Sequence, residues 1–117
     1  MTNIDMLYWL IVGHIFADFV FQPESMAKGK NINNKTTPPP GAKYQSTWFY
    51  WLTAHAIANG GFVTLATGSY KLGLAEVLCH WLIDFGKCNN CYGVHRDQLM
   101  HIFCKLVWWL VAIAMIQ

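Results

Sequence analysis

The sequence predicts an all-α fold: a four-transmembrane-helix bundle with short helix hairpins and one long polar loop. Three observations lead there. Of 117 residues, 55% are hydrophobic and only 12% charged, about half the charged share of an ordinary soluble domain. The apolar residues gather into four segments, each near the roughly 20 residues that a helix needs to cross about 30 Å of hydrocarbon. No segment alternates with period two along its length, which argues against a β-barrel. Six Trp, five Tyr and seven Phe exclude disorder. A scattered net charge of +2 excludes nucleic-acid binding. The mean hydropathy of +0.28 is modest because one polar stretch dilutes it. Residues 1–117 therefore read as a single integral membrane domain.

The first helix is expected over about 4–22 (IDMLYWLIVGHIFADFVFQ). It lacks a basic leader and a small-residue cleavage site, so it does not read as a signal peptide. A loop over about 23–45 follows, where three consecutive prolines, Asn, Thr and Gly cannot continue a helix. The second helix is expected over about 46–67, the third over about 72–88 and the fourth over about 96–116. The third is the shortest. In such a pair of hairpins, the first and third connections lie on one side. They hold Lys28, Lys30, Lys35, Lys43, Lys87 and Arg96, six of the eight basic residues. The positive-inside rule makes that side cytoplasmic and places both termini outside the cytoplasm. Tyr44, Trp48 and Tyr50 suit an aromatic belt at that edge.

Ionisable residues are concentrated where a bilayer tolerates them least. Of six carboxylates and five histidines, only Asp5, Glu24 and His95 fall clearly outside the helices. An unpaired charge in hydrocarbon costs several kcal/mol, so the rest mark function by default. His14 and Asp18, His80 and Asp84, and Asp97 and His101 are each four apart. Positions i and i+4 share a helix face and can converge on one atom. His55 comes from the second helix, and at 1.5 Å per residue all seven meet in the cytoplasmic half of the bundle. His14, Asp18, His55, His80, Asp84, Asp97 and His101 are thus the candidate metal ligands. Imidazole and carboxylate suit a divalent cation, Zn²⁺ foremost, with Mn²⁺ or Fe²⁺ as alternatives. Seven candidates exceed the needs of one tetrahedral ion, so one or two ions are open. The plainer reading is that His–Asp pairs hydrogen-bond across helices and hold the bundle. Three pairs plus a histidine at matched depth favour metal.

The polar stripes extend further. Gln22 continues the His14–Asp18 face, Asn59 that of His55, Glu76 that of His80–Asp84, and Lys105 that of Asp97–His101. A Glu76–Lys105 ion pair beneath the site is expected, since each charge alone is costly. The competing role for Glu76 is general base. At the mouth, Lys87 and Gln98 are placed to meet an anionic group; Arg96 reads as a flanking charge. Glu76, Lys87 and Gln98 are the candidate catalytic residues. Cys88, Cys91 and His95 have C-x₂-C-x₃-H spacing, a weak zinc signal beside reduced cytoplasmic thiols. Cys79 and Cys104 read as packing residues, Gly60-Gly61 and Gly73 as close helix contacts, and Trp108-Trp109 as facing lipid or neighbouring helices.

GHIFADFVFQ (13–22), HWLIDFGK (80–87) and DQLMH (97–101), with the lone His55, resemble an uncharacterised family of small bacterial and phage membrane proteins. Its pattern is a GHxxADFxxQ helix, a lone histidine in helix two, an HxLIDxxK helix and a DQxxH helix. The matching residues are His14, Asp18, Gln22, His55, His80, Asp84, Lys87, Asp97, Gln98 and His101. The layout is similar to that of membrane-bound metal-dependent hydrolases, an analogy of fold and not of chemistry. The resemblance implies the bacterial inner membrane, and it leaves the triple-proline loop and the CNNC segment without a role.

These readings converge on a membrane-embedded metal-dependent hydrolase acting on a phosphorylated lipid or nucleotide at the cytoplasmic face. The alternatives are a small membrane effector that binds a protein partner around a structural metal, and an ion or proton transporter, as a monomer or homo-oligomer. The apolar outer half of the fourth helix argues against a path through a monomer.

Overall fold

The computed structural model describes residues 2–33, 40–41, 43 and 46–116, apart from the side chain of Ser25. Lys35, Tyr44 and most of the triple-proline stretch lie outside the described residues. Among the described residues there are five α-helices and no strand: α1 (Asn3–Ile15), α2 (Glu24–Gly29), α3 (Trp48–Thr67), α4 (Tyr70–Cys88) and α5 (Val94–Ile116). A π-helical turn, Phe16–Val20, continues α1.

Local chemistry explains the boundaries. The Thr2 hydroxyl accepts from the Asp5 N–H at 3.1 Å while the Asp5 carboxylate accepts from the Thr2 N–H at 2.9 Å, a reciprocal cap on α1. Gly68 ends α3 at φ 74°, a left-handed conformation that glycine adopts without strain. Ser69 then caps α4 by accepting from Leu72 N–H at 3.3 Å. Between α4 and α5, Asn90 takes φ 60°, and the Tyr92 hydroxyl donates to the Ile83 carbonyl. Burial, followed by nearby Asp97, raises the Tyr92 phenol above its ordinary range.

The four long helices form a closed ring, with α1 and α4 each packing on both α3 and α5. The tightest seam is α3 on α4. A Cβ added at Gly60 would lie 2.3 Å from a Val77 methyl and 2.6 Å from the Gly73 carbonyl oxygen. One added at Gly73 would lie 2.7 Å from the Gly60 carbonyl oxygen. The two backbones touch because neither residue has a side chain, as the sequence anticipates.

One end of the bundle is apolar, where Met6, Leu10, Val63, Ala66, Leu72 and Ala112 pack with Trp108 and Trp109. The rest of the interior is mainly polar, with Ala17, Leu52, Ala56 and Cys88 buried among the polar side chains. Lys105, Glu76, His80 and His101 are at most 1% exposed, whereas Leu65 is 78% and Phe103 66% exposed. Such a distribution inverts that of a water-soluble domain.

Three expectations are corrected. Among the described residues two helices, Asn3–Val20 and Val94–Ile116, are long and apolar enough to cross a membrane, rather than four. Helices α3 and α4 have the length, at 20 and 19 residues. Their buried polar residues, and the Lys71, Glu76, Asp84 and Lys87 charges of α4, remove the continuous apolarity. The first helix does not stay α-helical to Gln22: the Phe21 N–H bonds to the Phe16 carbonyl at 2.7 Å, closing a wider turn. That turn buries Ala17 and Asp18 and leaves Phe16, Phe19, Val20 and Phe21 exposed. Finally, the segment after Gln22 is not all loop. Pro23 has the extended backbone that starts a helix, α2 follows, and the chain docks back on the bundle. Asn33 Nδ2 bonds to the Cys88 carbonyl at 3.1 Å. Gly29 is seated so closely on the Trp51 indole that a Cβ would lie 2.5 Å from it.

Candidate metal centre

Each helix delivers its polar residues at steps of three or four, so they stack in layers above the apolar end. Helix α1 and its π turn supply His14 and Asp18, and α3 supplies Asn59 and His55. Helix α4 supplies Glu76, His80 and Asp84, and α5 supplies Lys105, His101 and Asp97. All ten are buried, none more than 7% exposed.

In the upper layers, four atoms from α3, α4 and the π turn form a ring. Asp18 Oδ1 lies 3.1 Å from His55 Nε2, which lies 3.3 Å from Asp84 Oδ2. Asp84 Oδ2 lies 3.5 Å from His80 Nε2, which lies 3.4 Å from Asp18 Oδ1. On the other side of the Asp84 carboxylate, Oδ1 lies 3.0 Å from His101 Nε2, and His101 Nε2 lies 3.3 Å from Asp97 Oδ1. Asp84 thus faces two adjacent sets of donors with its two oxygens.

These contacts have the spacing of a coordination shell. Metal–ligand bonds of about 2.1 Å place neighbouring ligand atoms about 3.0 Å apart in an octahedron and about 3.4 Å in a tetrahedron. Several of the same atoms make no hydrogen bond: Asp18 Oδ1, His55 Nε2, His80 Nε2 and Asp97 Oδ1 are buried without a partner. The atoms of the ring approach one another as ion-pair contacts of 3.1, 3.3, 3.4 and 3.5 Å. A buried polar atom left unpaired costs about 1–3 kcal/mol, so four together call for a shared ligand. Asp18–His80–His101, His55–His80–Asp84 and Asp84–Asp97–His101 each bring three donor atoms within 4.8 Å of one another. The residues therefore fit a divalent cation.

The shell around them is ordered. Gln98 bridges three of the candidate ligands, with Oε1 2.9 Å from His14 Nε2 and Nε2 donating to Asp18 Oδ2 and Asp97 Oδ2 at 3.2 Å each. His14 Nε2 stands 3.8 Å from Asp18 Oδ2, outside the tight ring. Glu76 Oε1 lies 3.2 Å from His80 Nδ1, an arrangement that fixes which nitrogen of a metal-binding histidine keeps its lone pair. Lys105 Nζ donates to the same Glu76 oxygen at 2.5 Å, the pairing expected from the stripes, and Trp108 Nε1 donates to Oε2 at 2.6 Å. Both Glu76 oxygens are therefore engaged. Asn59 Nδ2 donates to the His55 carbonyl and Gln22 Nε2 to the Asp18 carbonyl, each at 3.0 Å. Lys87, 34% exposed, reaches to 3.8 Å from Asp97 Oδ2 at the rim.

Two participants are absent from the sequence reading. Lys30, read as a loop charge, is 5% exposed and donates to Asp84 Oδ2 at 2.8 Å. Nothing in PESMAKGK distinguishes it from Lys28, which pairs with Glu24 on the surface at 2.6 Å. The docking of α2 makes the difference. Trp108, read as lipid- or helix-facing, meets Glu76 because α5 lies beside α4. Cys88, Cys91 and His95 form no metal-holding group among the described residues.

Fold and site together define a helical bundle with a buried His–Asp cluster suited to a metal ion. By its sequence the chain belongs to the family described as "Protein of unknown function (DUF3307)", whose match covers residues 6–117. No curated protein and no solved structure matches it.

Proposed function

We propose that this chain is a multi-pass inner-membrane protein that holds one or two divalent metal ions, Zn²⁺ foremost, and hydrolyses a phosphoester at the cytoplasmic face. The observation that carries the reading is the set of buried carboxylate and imidazole atoms without hydrogen-bond partners, spaced as neighbours in a coordination shell. The outward-facing apolar side chains support all four long helices lying in lipid, α3 and α4 presenting their polar faces to the centre.

Asp18, His55, His80 and Asp84 would hold one ion, and Asp84, Asp97 and His101 a second. A bound ion lowers the pKa of water and polarises a phosphoryl oxygen. The chain's own residues supply the rest. Glu76 orients the His80 ring, and Gln98 fixes His14, Asp18 and Asp97 relative to one another. Lys30 and Lys87 provide positive charge at the two carboxylates nearest the docked segment and the rim, where an anionic phosphate is attracted. Transport is disfavoured because the far end of the bundle interior is closed by Met6, Leu10, Val63, Ala66, Leu72 and Ala112.

The test is elemental analysis of the purified protein, together with phosphate release from phosphatidic acid and nucleoside phosphates. The reading expects one or two metal equivalents and release that Asp84→Ala and His101→Ala abolish. Bound metal with no release from any substrate would replace the enzyme by a structural metal protein. Absence of metal after purification and after Zn²⁺ addition would overturn both.

A further inference from the structure

A second feature lies outside the polar centre. Between α1 with its π turn and α3 is a cavity of about 450 Å³ lined only by apolar and aromatic residues, with Trp9, Gly13 and Phe21 on one side and Phe62 and Leu65 on the other. Gly13 shapes its wall: a Cβ there would lie 2.9 Å from the Phe62 Cβ. At one end Phe21 stacks on Phe62 with centroids 6.3 Å apart and on Phe16 at 5.7 Å.

Position and length narrow what fits. From Trp9 to Phe21 the helix advances about 18 Å at 1.5 Å per residue. Half of the hydrocarbon thickness is about 15 Å. On the α1 side the lining thus extends over about one leaflet's depth, while on α3 it covers Phe62, Leu65 and Ala66. It begins beside Asp18 and ends near the level of the apolar core. One stretch of helix serves both features, since Gly13 and Phe16 face the cavity while His14, Ala17 and Asp18 are turned into the bundle. The opening lies on the lipid-facing side, where Leu65 is exposed.

We propose that this cavity holds one acyl chain of a phospholipid whose phosphate head group is presented to the metal centre, which selects a phosphorylated lipid over a nucleotide. The proposal rests on the phosphoester reading of the centre. A chain extended along the groove is aligned as it is in the leaflet, so it enters without leaving the apolar phase, and the head group sits at the depth of Asp18. A nucleotide has no group that suits a wholly apolar slot of this length.

The experiment uses the full chain in phosphatidylcholine nanodiscs doped with phosphatidic acid carrying a photoactivatable diazirine midway along one acyl chain. Crosslinked residues are located by mass spectrometry. Expected labelling at Val12, Phe62 and Leu65 exceeds that at the exposed Phe103 and Leu82 by about tenfold, a preference worth about 1.4 kcal/mol. Leu65→Trp fills the groove from its exposed side and reduces labelling of Val12 and Phe62 by about fivefold or more while metal content is unchanged. A diazirine diacylglycerol, which lacks the phosphate, labels the cavity several-fold less. Even labelling of all lipid-facing residues overturns the proposal, as does equal labelling by the diacylglycerol. If Leu65→Trp fails to fold, the wild-type pattern alone decides. Cavity labelling without phosphate release from any substrate keeps the chain site and rejects the hydrolase; release with even labelling does the reverse.

Discussion

Replacing Glu76 by methionine separates two jobs that the residue performs at once. Its Oε1 balances the charge of Lys105 at 2.5 Å and faces His80 Nδ1 at 3.2 Å, and its Oε2 accepts from Trp108 at 2.6 Å. Methionine has a similar volume and no acceptor of comparable strength, so the variant strands the Lys105 ammonium, 1% exposed. Removing one partner of a buried ion pair costs about 3–5 kcal/mol. The double variant Glu76→Met, Lys105→Met removes the stranded charge and leaves the Trp108 N–H unpaired, a residual cost of about 1–3 kcal/mol. The second substitution is therefore expected to recover about 2 kcal/mol. Metal affinity follows a different course. Without its acceptor, the His80 ring is free to turn, and loss of such a partner weakens metal binding about 10–100-fold. The double variant does not restore that. Denaturant unfolding followed by helical circular dichroism reads the first effect, and Zn²⁺ competition against a chelator reads the second. A Glu76→Met variant as stable as wild type would rule out the ion-pair role, and rescue of metal affinity by Lys105→Met would rule out the role of Glu76 in orienting His80.

Three further outcomes follow from other contacts. Gly73→Ala forces apart backbones now in contact and should cost about 1–3 kcal/mol by the same unfolding assay; Gly61→Ala, whose Cβ would meet nothing within 4 Å, should cost nothing, and equal effects would dismiss the close seam. Lys30→Met removes an ammonium 2.8 Å from a ligand oxygen. Zn²⁺ affinity should therefore rise at least about tenfold, while Lys28→Met leaves it unchanged; a fall at Lys30 would make that lysine a support of the site rather than a competitor. Chelation should lower thermal stability, since an ion at about 100 times its Kd contributes about 2.7 kcal/mol. A midpoint unmoved by chelator and by added Zn²⁺ would deny a metal bound to the folded state.

Much of the site could be read from spacing alone. The i, i+4 pairs His14–Asp18, His80–Asp84 and Asp97–His101 share faces because a helix repeats every 3.6 residues, whatever surrounds it. The Glu76–Lys105 contact followed from the same periodicity and from the cost of an unpaired buried charge. What escaped lay off the helical repeat. The π turn at Phe16–Val20 has no signature in FADFV, and within it Asp18 is buried beside an exposed Phe19. The burial of Lys30 depends on α2 folding over the bundle, with Gly29 against Trp51.

The all-helical class, the polar stripe on each long helix and the residue types that gather at one depth are legible in the chain before it folds. These are local properties, set by composition and by the helical period. Helix packing sets which atoms face one another. It made Asp84 the hinge between two donor sets, engaged both Glu76 oxygens, brought Lys30 in from the loop and opened an apolar cavity on the back of the His14–Asp18 helix. Those distances depend on how closely helices approach, and glycine contacts such as Gly60 on Gly73 set that approach between residues far apart in the chain.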